Sequence, residues 1–237
     1  MASVKDERGY SQGFARSPAL EVRTSRRARA ILSALEPEFP KRILEVGCGT
    51  GSLSYRLASE STAFVVGADR SPSFLDEAAQ IYRRPNLEFR LVNLNAEGWT
   101  REVPGPFDAI VGNGILHHLF DDLDARLAEF RALLTPNGKL AFWEPNVENP
   151  YVYSIFKFAL LRRAAGLEPR ERAFSRKFIL EKLAHAGFRE AKAHYRDFLL
   201  PNTPRALISY VIRGGDVLER TPLLRRAAQS LFITARV

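Results

Sequence analysis

The stretch Ile43-Leu-Glu-Val-Gly47-Cys48-Gly49-Thr50-Gly51 decides the fold. A short apolar run with strand character meets three glycines spaced G-x-G-x-G, and a helical pattern follows near 51–59. Glycines at such a turn let the backbone approach a ligand closely at a helix N-terminus. A dinucleotide fingerprint needs G-x-G-x-x-G, and Ser52 stands at its last position. That weighs against a nucleotide-dependent oxidoreductase and removes the need for a pyrophosphate. Asp69 lies 22 residues past Gly47, where an acid accepts hydrogen bonds from both ribose hydroxyls.

Working outward, strand candidates alternate with helices between residues 41 and 143. The strands are Ile43–Val46, Ala63–Ala68, Leu87–Val92, Phe107–Val111 and Lys139–Trp143, and the helices lie near 51–59, 72–83 and 121–134. Leu123, Leu127, Phe130 and Leu134 form one apolar stripe at helical spacing. Such alternation means an α/β fold with a parallel sheet covered on both faces, whose ligands bind at the carboxyl ends of the strands. A helix over 20–36 precedes this core, halted before Pro37 and Pro40. A helix over 175–186, a strand over Phe188–Phe198 and a strand from Ser230 follow it.

Composition narrows the function classes. A hydrophobic fraction of 46% and a charged fraction of 26% support a buried core and exclude disorder as the main state. No apolar run approaches the roughly 18 residues of a spanning helix. Met1–Arg8 carries no apolar stretch for a secretory signal, so the expected compartment is the cytoplasm. Cys48, the single cysteine, supplies neither an internal disulfide nor a cysteine metal cluster. The net charge of +8 favours acidic partners such as nucleic acid, an anionic membrane or a phosphorylated substrate. Arginines cluster at Arg23, Arg26, Arg27 and Arg29 and again at Arg162, Arg163, Arg170, Arg172 and Arg176.

With Asp69 after the glycine turn, the chain resembles the class I S-adenosylmethionine-dependent methyltransferases, well over about 41–143 and loosely in the flanks. Glu45-Val-Gly-Cys-Gly-Thr-Gly51 is similar to that family's first motif, and Asp69 to its ribose-binding acid. Phe107-Asp-Ala-Ile-Val-Gly-Asn113-Gly-Ile-Leu-His-His-Leu119 resembles its fourth-strand segment, and Leu133-Leu-Thr-Pro-Asn-Gly-Lys-Leu140 the turn before its fifth strand. The resemblance implies a Rossmann-like seven-stranded sheet, mostly parallel, with the strand near 230–236 inserted antiparallel between the fifth and sixth. It also implies three regions: an N-terminal helical cap over 1–40, a cofactor-binding core over 41–146, and a substrate lid that completes the sheet over 147–237. The implied cofactor is S-adenosylmethionine. The implied cofactor-binding residues are Glu45, Gly47, Cys48, Gly49 and Gly51 in the first motif, Asp69 and Arg70 after the second strand, and Asn93, Leu94 and Asn113 further on. Where the family usually has an adenine-binding Asp, this chain has Asn93, whose amide oxygen still accepts a hydrogen bond without charge assistance.

Methyl transfer mainly requires holding a nucleophile in line with the sulfonium. A base is needed only where the acceptor must lose a proton. The candidates are His118, His117 and Glu144. Neighbouring residues on a helix point about 100° apart, so at most one histidine should face the pocket; the resemblance favours His118. O-methylation is preferred slightly over N-methylation, since an alcohol needs a base and histidine serves near neutrality. No metal site is expected, because His185 and His194 lack carboxylates at ligand spacing.

Tyr151, Tyr153, Phe156 and Phe158 are candidates to line an apolar pocket. Leu207, Ile208, Val211 and Ile212 beside Arg213, Arg220, Arg225 and Arg226 suggest a basic amphipathic surface and peripheral contact with anionic membrane. The expected substrate is an apolar or amphiphilic small molecule, such as a natural-product or lipid-linked intermediate. RNA methylation suits the charge, yet no RNA-recognition module is present, nor an Asn/Asp-Pro-Pro-Tyr/Phe signature: the place reads Asn113-Gly-Ile-Leu116. A protein of this fold that binds the cofactor without transferring methyl is the remaining alternative.

Overall fold

The computed structural model describes residues 17–36, 40–168 and 171–237. Met1–Arg8, Pro37 and Arg170, on which three of the expectations above fall, lie outside them. Seven strands, β1 Arg42–Val46, β2 Phe64–Asp69, β3 Leu87–Leu91, β4 Phe107–Asn113, β5 Leu134–Pro145, β6 Arg189–Arg196 and β7 Ser230–Arg236, form one sheet in the order β3-β2-β1-β4-β5-β7-β6. Every pairing among β1 to β5 is parallel, and β7 runs antiparallel between β5 and β6. The seven-stranded arrangement that the family resemblance implied is therefore the one observed.

Side-chain alternation builds two cores. Leu44, Val46, Ile110, Leu140, Phe142, Leu231 and Ile233 point to one face of the sheet, and Ile43, Ala109, Val111, Ala141, Trp143 and Phe232 to the other. The first face is covered by Leu123, Leu127 and Phe130 of α4 (Leu123–Leu133) and by Ile179 and Leu183 of α7 (Arg176–His185). The second is covered by Ala28, Ile31 and Leu35 of α1 (Pro18–Leu35) and by Leu53, Leu57 and Ala58 of α2 (Ser52–Ser59). Helix starts follow the sequence. Ser17 caps α1, Ser71 caps α3 (Pro72–Ile81) and Asn149 caps α5 (Pro150–Lys157), each followed by a proline whose missing N–H costs nothing at that position.

Three expectations change. The helix expected over 121–134 is preceded by a 3-10 segment, Leu116–Asp122, which carries both histidines. β5 begins at Leu134 rather than Lys139, because Leu134 pairs with Phe107 around a bulge. The stripe expected to face a membrane lies on α8 (Ile208–Arg220) and is largely used internally: Ile208 packs with Ala19 and Leu199, and Val211 and Ile212 lie against them. Burying that stripe on α1 removes the same apolar surface from water, and Leu207 is the member left exposed.

Candidate active site

A cavity of about 570 Å³ opens at the carboxyl ends of β1 to β4. Its wall takes Gly47 from the end of β1, Asp69, Arg70 and Ser71 after β2, Val92 to Asn95 after β3, and Asn113 to Ile115 after β4. His118, Leu119, Asp121 and Asp122 come from the 3-10 segment, Phe74 from α3 and Glu168 from beyond β5. Four carboxylates and the Arg70 guanidinium thus border one space of ligand size.

The glycine turn is shaped by sterics. Gly47 has φ +67°, and a Cβ there would sit 2.7 Å from Ile115 Cδ1; Gly51 has φ +78°, and its Cβ would meet the Phe89 ring at 2.6 Å. Only glycine fits these positions. The Asp69 carboxylate ties the turn to β2, accepting from the Gly49 N–H (2.8 Å) and the Ser71 N–H (2.9 Å). A carboxylate offers about four lone-pair sites, so hydroxyl donors from the cavity can be added to these. Asn93 lines the cavity while its Oδ1 accepts from the Asn95 N–H (3.1 Å), so it both caps a turn and faces the ligand space. Arg70 pairs with Glu168 at 3.1 Å, linking the loop after β2 to the segment after β5.

Four residues expected at the cofactor lie behind the wall. Cys48 is buried, and burial pushes its thiol well up, so it is no nucleophile. Gly49 and Gly51 shape the turn through the backbone. Glu45 is buried and accepts from the Ser54 hydroxyl; burial lifts its carboxyl to about 8, the Ser54 hydrogen bond opposes this, and the Asp69 charge adds to it. Glu45 therefore packs largely protonated near neutral pH.

The Glu144 carboxylate is saturated. Oε1 accepts from the backbone N–H of Ile115 (2.9 Å) and Leu116 (2.8 Å), while Oε2 accepts from the N–H of His117 (3.3 Å) and from His117 Nδ1 (2.8 Å). Neither Glu144 nor His117 belongs to the cavity wall; His118 does. The rings of His117 and His118 lie 4.2 Å apart, and Phe156 meets His117 edge-on at 6.0 Å. Glu171, buried, approaches both: Oε1 is 3.3 Å from His118 Nδ1, and Oε2 is 3.8 Å from His117 Nε2. No local pattern marks Glu171, whose histidine partners lie over fifty residues upstream. The expectation that no cluster resembles a metal site rested on His185 and His194; the fold gathers His117, His118 and Glu171, with one donor atom of each within 4.8 Å of the others.

A second buried cluster was also missed. Arg27 of α1 donates to Asn113 Oδ1, to Asp197 Oδ2 (2.7 Å) and to Ser230 Oγ (2.7 Å), and lies over the Trp143 ring. Burial and the neighbouring Arg23 lower its guanidinium to about 10, against the pull of Asp197, so it stays charged at neutral pH. The signal was present: Arg27, Ile31 and Leu35 recur at i, i+4 and i+8 on the apolar face of α1. Because Arg27 takes the Asn113 oxygen, the amide nitrogen remains as the donor available to a ligand.

The aromatic expectation is corrected. Tyr151, Tyr153 and Phe158 are exposed on and just after α5 and take no part in the cavity wall. The period of α5 puts its buried Val152 inward and these rings outward.

Residues 44–140 match the model of a family described as methyltransferase domain. The ubiquinone biosynthesis O-methyltransferase of Pseudomonas fluorescens is 30% identical over 161 residues, 67% of this chain and 67% of that protein. An uncharacterized methyltransferase of Mycobacterium tuberculosis is 34% identical over 124 residues, 51% of this chain, and the match spans 60% of the relative's length. Among solved structures, an S-adenosylmethionine-dependent methyltransferase of Archaeoglobus fulgidus shares the fold with a TM-score of 0.63 at 15% identity, over 92% of this chain and 94% of that one. With a glycine cradle and an acid at the end of β2 already in place, the chain belongs to the S-adenosylmethionine-dependent methyltransferase family. Its cofactor is S-adenosylmethionine, and the acidic wall beside the cradle fits a ligand carrying a sulfonium charge.

Glu45 gives the fold a pH signature. Its carboxyl rises from an ordinary 4.5 to about 8 on folding, so between those values the folded chain holds a proton that the unfolded chain has released. Stability must then fall as pH rises through that window. Glu45→Gln keeps an acceptor for Ser54 and removes the titration. Calorimetric melting of both proteins from pH 5 to 9 should show the parent losing stability relative to the variant; parallel curves would refute the burial argument.

Proposed function

We propose that the protein transfers methyl from S-adenosylmethionine to an oxygen, or less readily a nitrogen, of an apolar or amphiphilic small molecule. The observation that carries this is His118 on the cavity wall, backed by Glu171 and seated on a turn that Glu144 and His117 hold rigid. S-adenosylmethionine supplies an electrophilic methyl group already activated by the sulfonium. In this reading Gly47 admits the methionine portion, Asp69 holds the ribose hydroxyls, and Asn93 and Leu94 face the adenine. Asn113 presents its amide nitrogen, fixed by Arg27. Glu45, Cys48, Gly49 and Gly51 act from behind, keeping the cradle in shape.

His118 is the group that meets the acceptor atom and eases the loss of its proton. Glu144, with all four of its hydrogen bonds directed to the turn, is a positioning residue for His117 and His118. Glu168, paired to Arg70 across the wall, belongs to the lid formed by the chain after β5. The wall's carboxylates (Asp69, Asp121, Asp122 and Glu168) repel a polyanion, which favours a small molecule over RNA despite the overall charge of +8.

Two substitutions check this. Asp69→Ala removes a charged acceptor and should weaken S-adenosylhomocysteine binding roughly ten- to a hundred-fold by titration calorimetry; unchanged affinity would contradict the ribose assignment. With labelled S-adenosylmethionine and a panel of phenols, hydroxylated lipids, amines and RNA, label should pass to a small molecule. His118→Ala should lower kcat about 10²–10⁴-fold with cofactor affinity retained. Transfer to RNA alone, or an unchanged rate in the variant, would overturn the reading.

A further inference from the structure

We propose that α6 (Ala159–Ala164) and the 3-10 turn Leu224–Ala227 form one docking surface for an anionic phospholipid bilayer, at the end of the sheet where the cavity opens. The first support lies in the sequence. Leu-Leu-Arg-Arg-Ala-Ala occurs twice, at 160–165 and again at 223–228. Both leucines of each copy stand in solvent, Leu160 at 79% and Leu223 at 80% exposure, and Phe158 just before α6 is exposed as well. Large apolar side chains grouped at the surface with cations between them mark a place of contact.

The second support is placement. Pro145 at the carboxyl end of β5 pairs with Ser230, which starts β7, so the chain after β5 and the chain before β7 leave the sheet at one end. Asn149, the cap of α5, donates to the carbonyl of Ala227, and Asn146 donates to those of Arg226 and Ala228. With its eight residues α5 spans about 12 Å, which is the reach from the second copy to the start of α6. α8 packs against the same 3-10 turn and adds Tyr210 and Val217, both exposed. They stand two and nine residues past Ile208, about half a turn round the helix, so this stripe is the reverse of the one that packs on α1.

The third support is charge. The sequence holds no Asp or Glu from Asn149 to Leu167, and none from Arg220 to Val237. Lys157 and Arg163 in the first segment and Arg225 and Arg226 in the second are exposed, and none of the four pairs with a carboxylate among the described residues. The Lys157 ammonium lies over the Tyr153 and Phe158 rings, a cation seated among apolar side chains. On α8 the acids Asp216 and Glu219 are taken up by Arg26 and Arg196. Cations with apolar stems, interleaved with leucines and aromatic rings, suit the boundary between anionic headgroups and acyl chains. A protein partner would instead favour a patch whose centre is depleted of charge. α5 also carries Phe156, whose ring meets His117 edge-on, so the docked segment adjoins the turn of His118. The inference stands whichever molecule accepts the methyl group.

The test is flotation of the full chain with extruded vesicles, either phosphatidylglycerol and phosphatidylcholine in equal parts or phosphatidylcholine alone. Partition onto the anionic vesicles should exceed that onto the neutral ones at least about tenfold and fall away as NaCl rises from about 0.05 to 0.5 M. Arg163→Glu combined with Arg225→Glu should weaken it at least about 25-fold, since each basic residue near such a surface contributes roughly fivefold. Leu160→Ser combined with Leu223→Ser should weaken it about tenfold through lost apolar insertion. Arg83→Glu combined with Arg84→Glu makes the same charge change just before β3, at the opposite end of the sheet, and should cost less than about threefold. S-adenosylhomocysteine affinity within about threefold of the parent shows that each variant is folded. Equal losses in the two arginine pairs would mean general attraction of a basic protein and would overturn the proposal. So would undiminished partition of the leucine pair, or no partition by the parent. Retention of RNA, or a dimer that the leucine pair abolishes, in the absence of vesicle binding would overturn it in favour of that occupant.

Discussion

One buried carboxylate organises the site. Glu144, at the end of β5 beside the central strand β4, gathers three consecutive backbone N–H groups of the turn after β4 and the ring N–H of His117. Those N–H groups begin a 3-10 segment and lack helical partners of their own, so a carboxylate there acts as a helix cap does. Charge-assisted hydrogen bonds are about twice as strong as neutral ones, and truncation of Glu144 would strand all four donors at once. The turn it holds carries Ile115, which packs over Gly47, and His118, which faces the cavity. The glycine turn and the cavity wall at His118 are thus set against each other by a single side chain.

A second buried polar cluster secures the opposite flank. Arg23 and Arg27 of α1 both engage Asp197, just beyond β6, and Arg27 reaches on to Asn113 and Ser230. Burial would raise the Asp197 carboxyl, but the charges of Arg27 and Arg23 hold it below its ordinary value. Removing one member of such a buried pair leaves a charge without compensation, so α1, β6 and the end of β4 are locked to one geometry. The preceding helix is therefore part of the site's scaffold as well as a cover for the sheet.

Much of the fold was legible in the sequence because it rests on short-range signals. Ile43 to Gly51 marks a strand, a tight turn and a helix start, and the alternating runs through Trp143 dictate a parallel sheet. The cavity residues Gly47, Asp69, Asn93, Leu94 and Asn113 sit at strand ends, where ligand-facing residues are expected by topology alone. What escaped was long-range. Glu171 reaches His117 and His118 from beyond β5, and no period or spacing encodes that approach. The fate of Tyr151 and Tyr153 depended on the phase of one short helix, which turns Val152, the residue between them, to the interior. Glu144 was visible as a residue at the mouth of the site, but its role depended on how many N–H groups the neighbouring turn would offer it.

The organising claim is tested most directly by the protonation pattern of the His117 ring. Nuclear magnetic resonance of protein labelled with nitrogen isotope in histidine, assigned with His117→Gln and His118→Ala variants, reports which ring nitrogen bears the proton. The account predicts a protonated Nδ1 on His117, strongly deshielded by its bond to Glu144, and loss of that signature in Glu144→Gln. A His117 ring protonated at Nε2 alone, or one indifferent to Glu144→Gln, would contradict it.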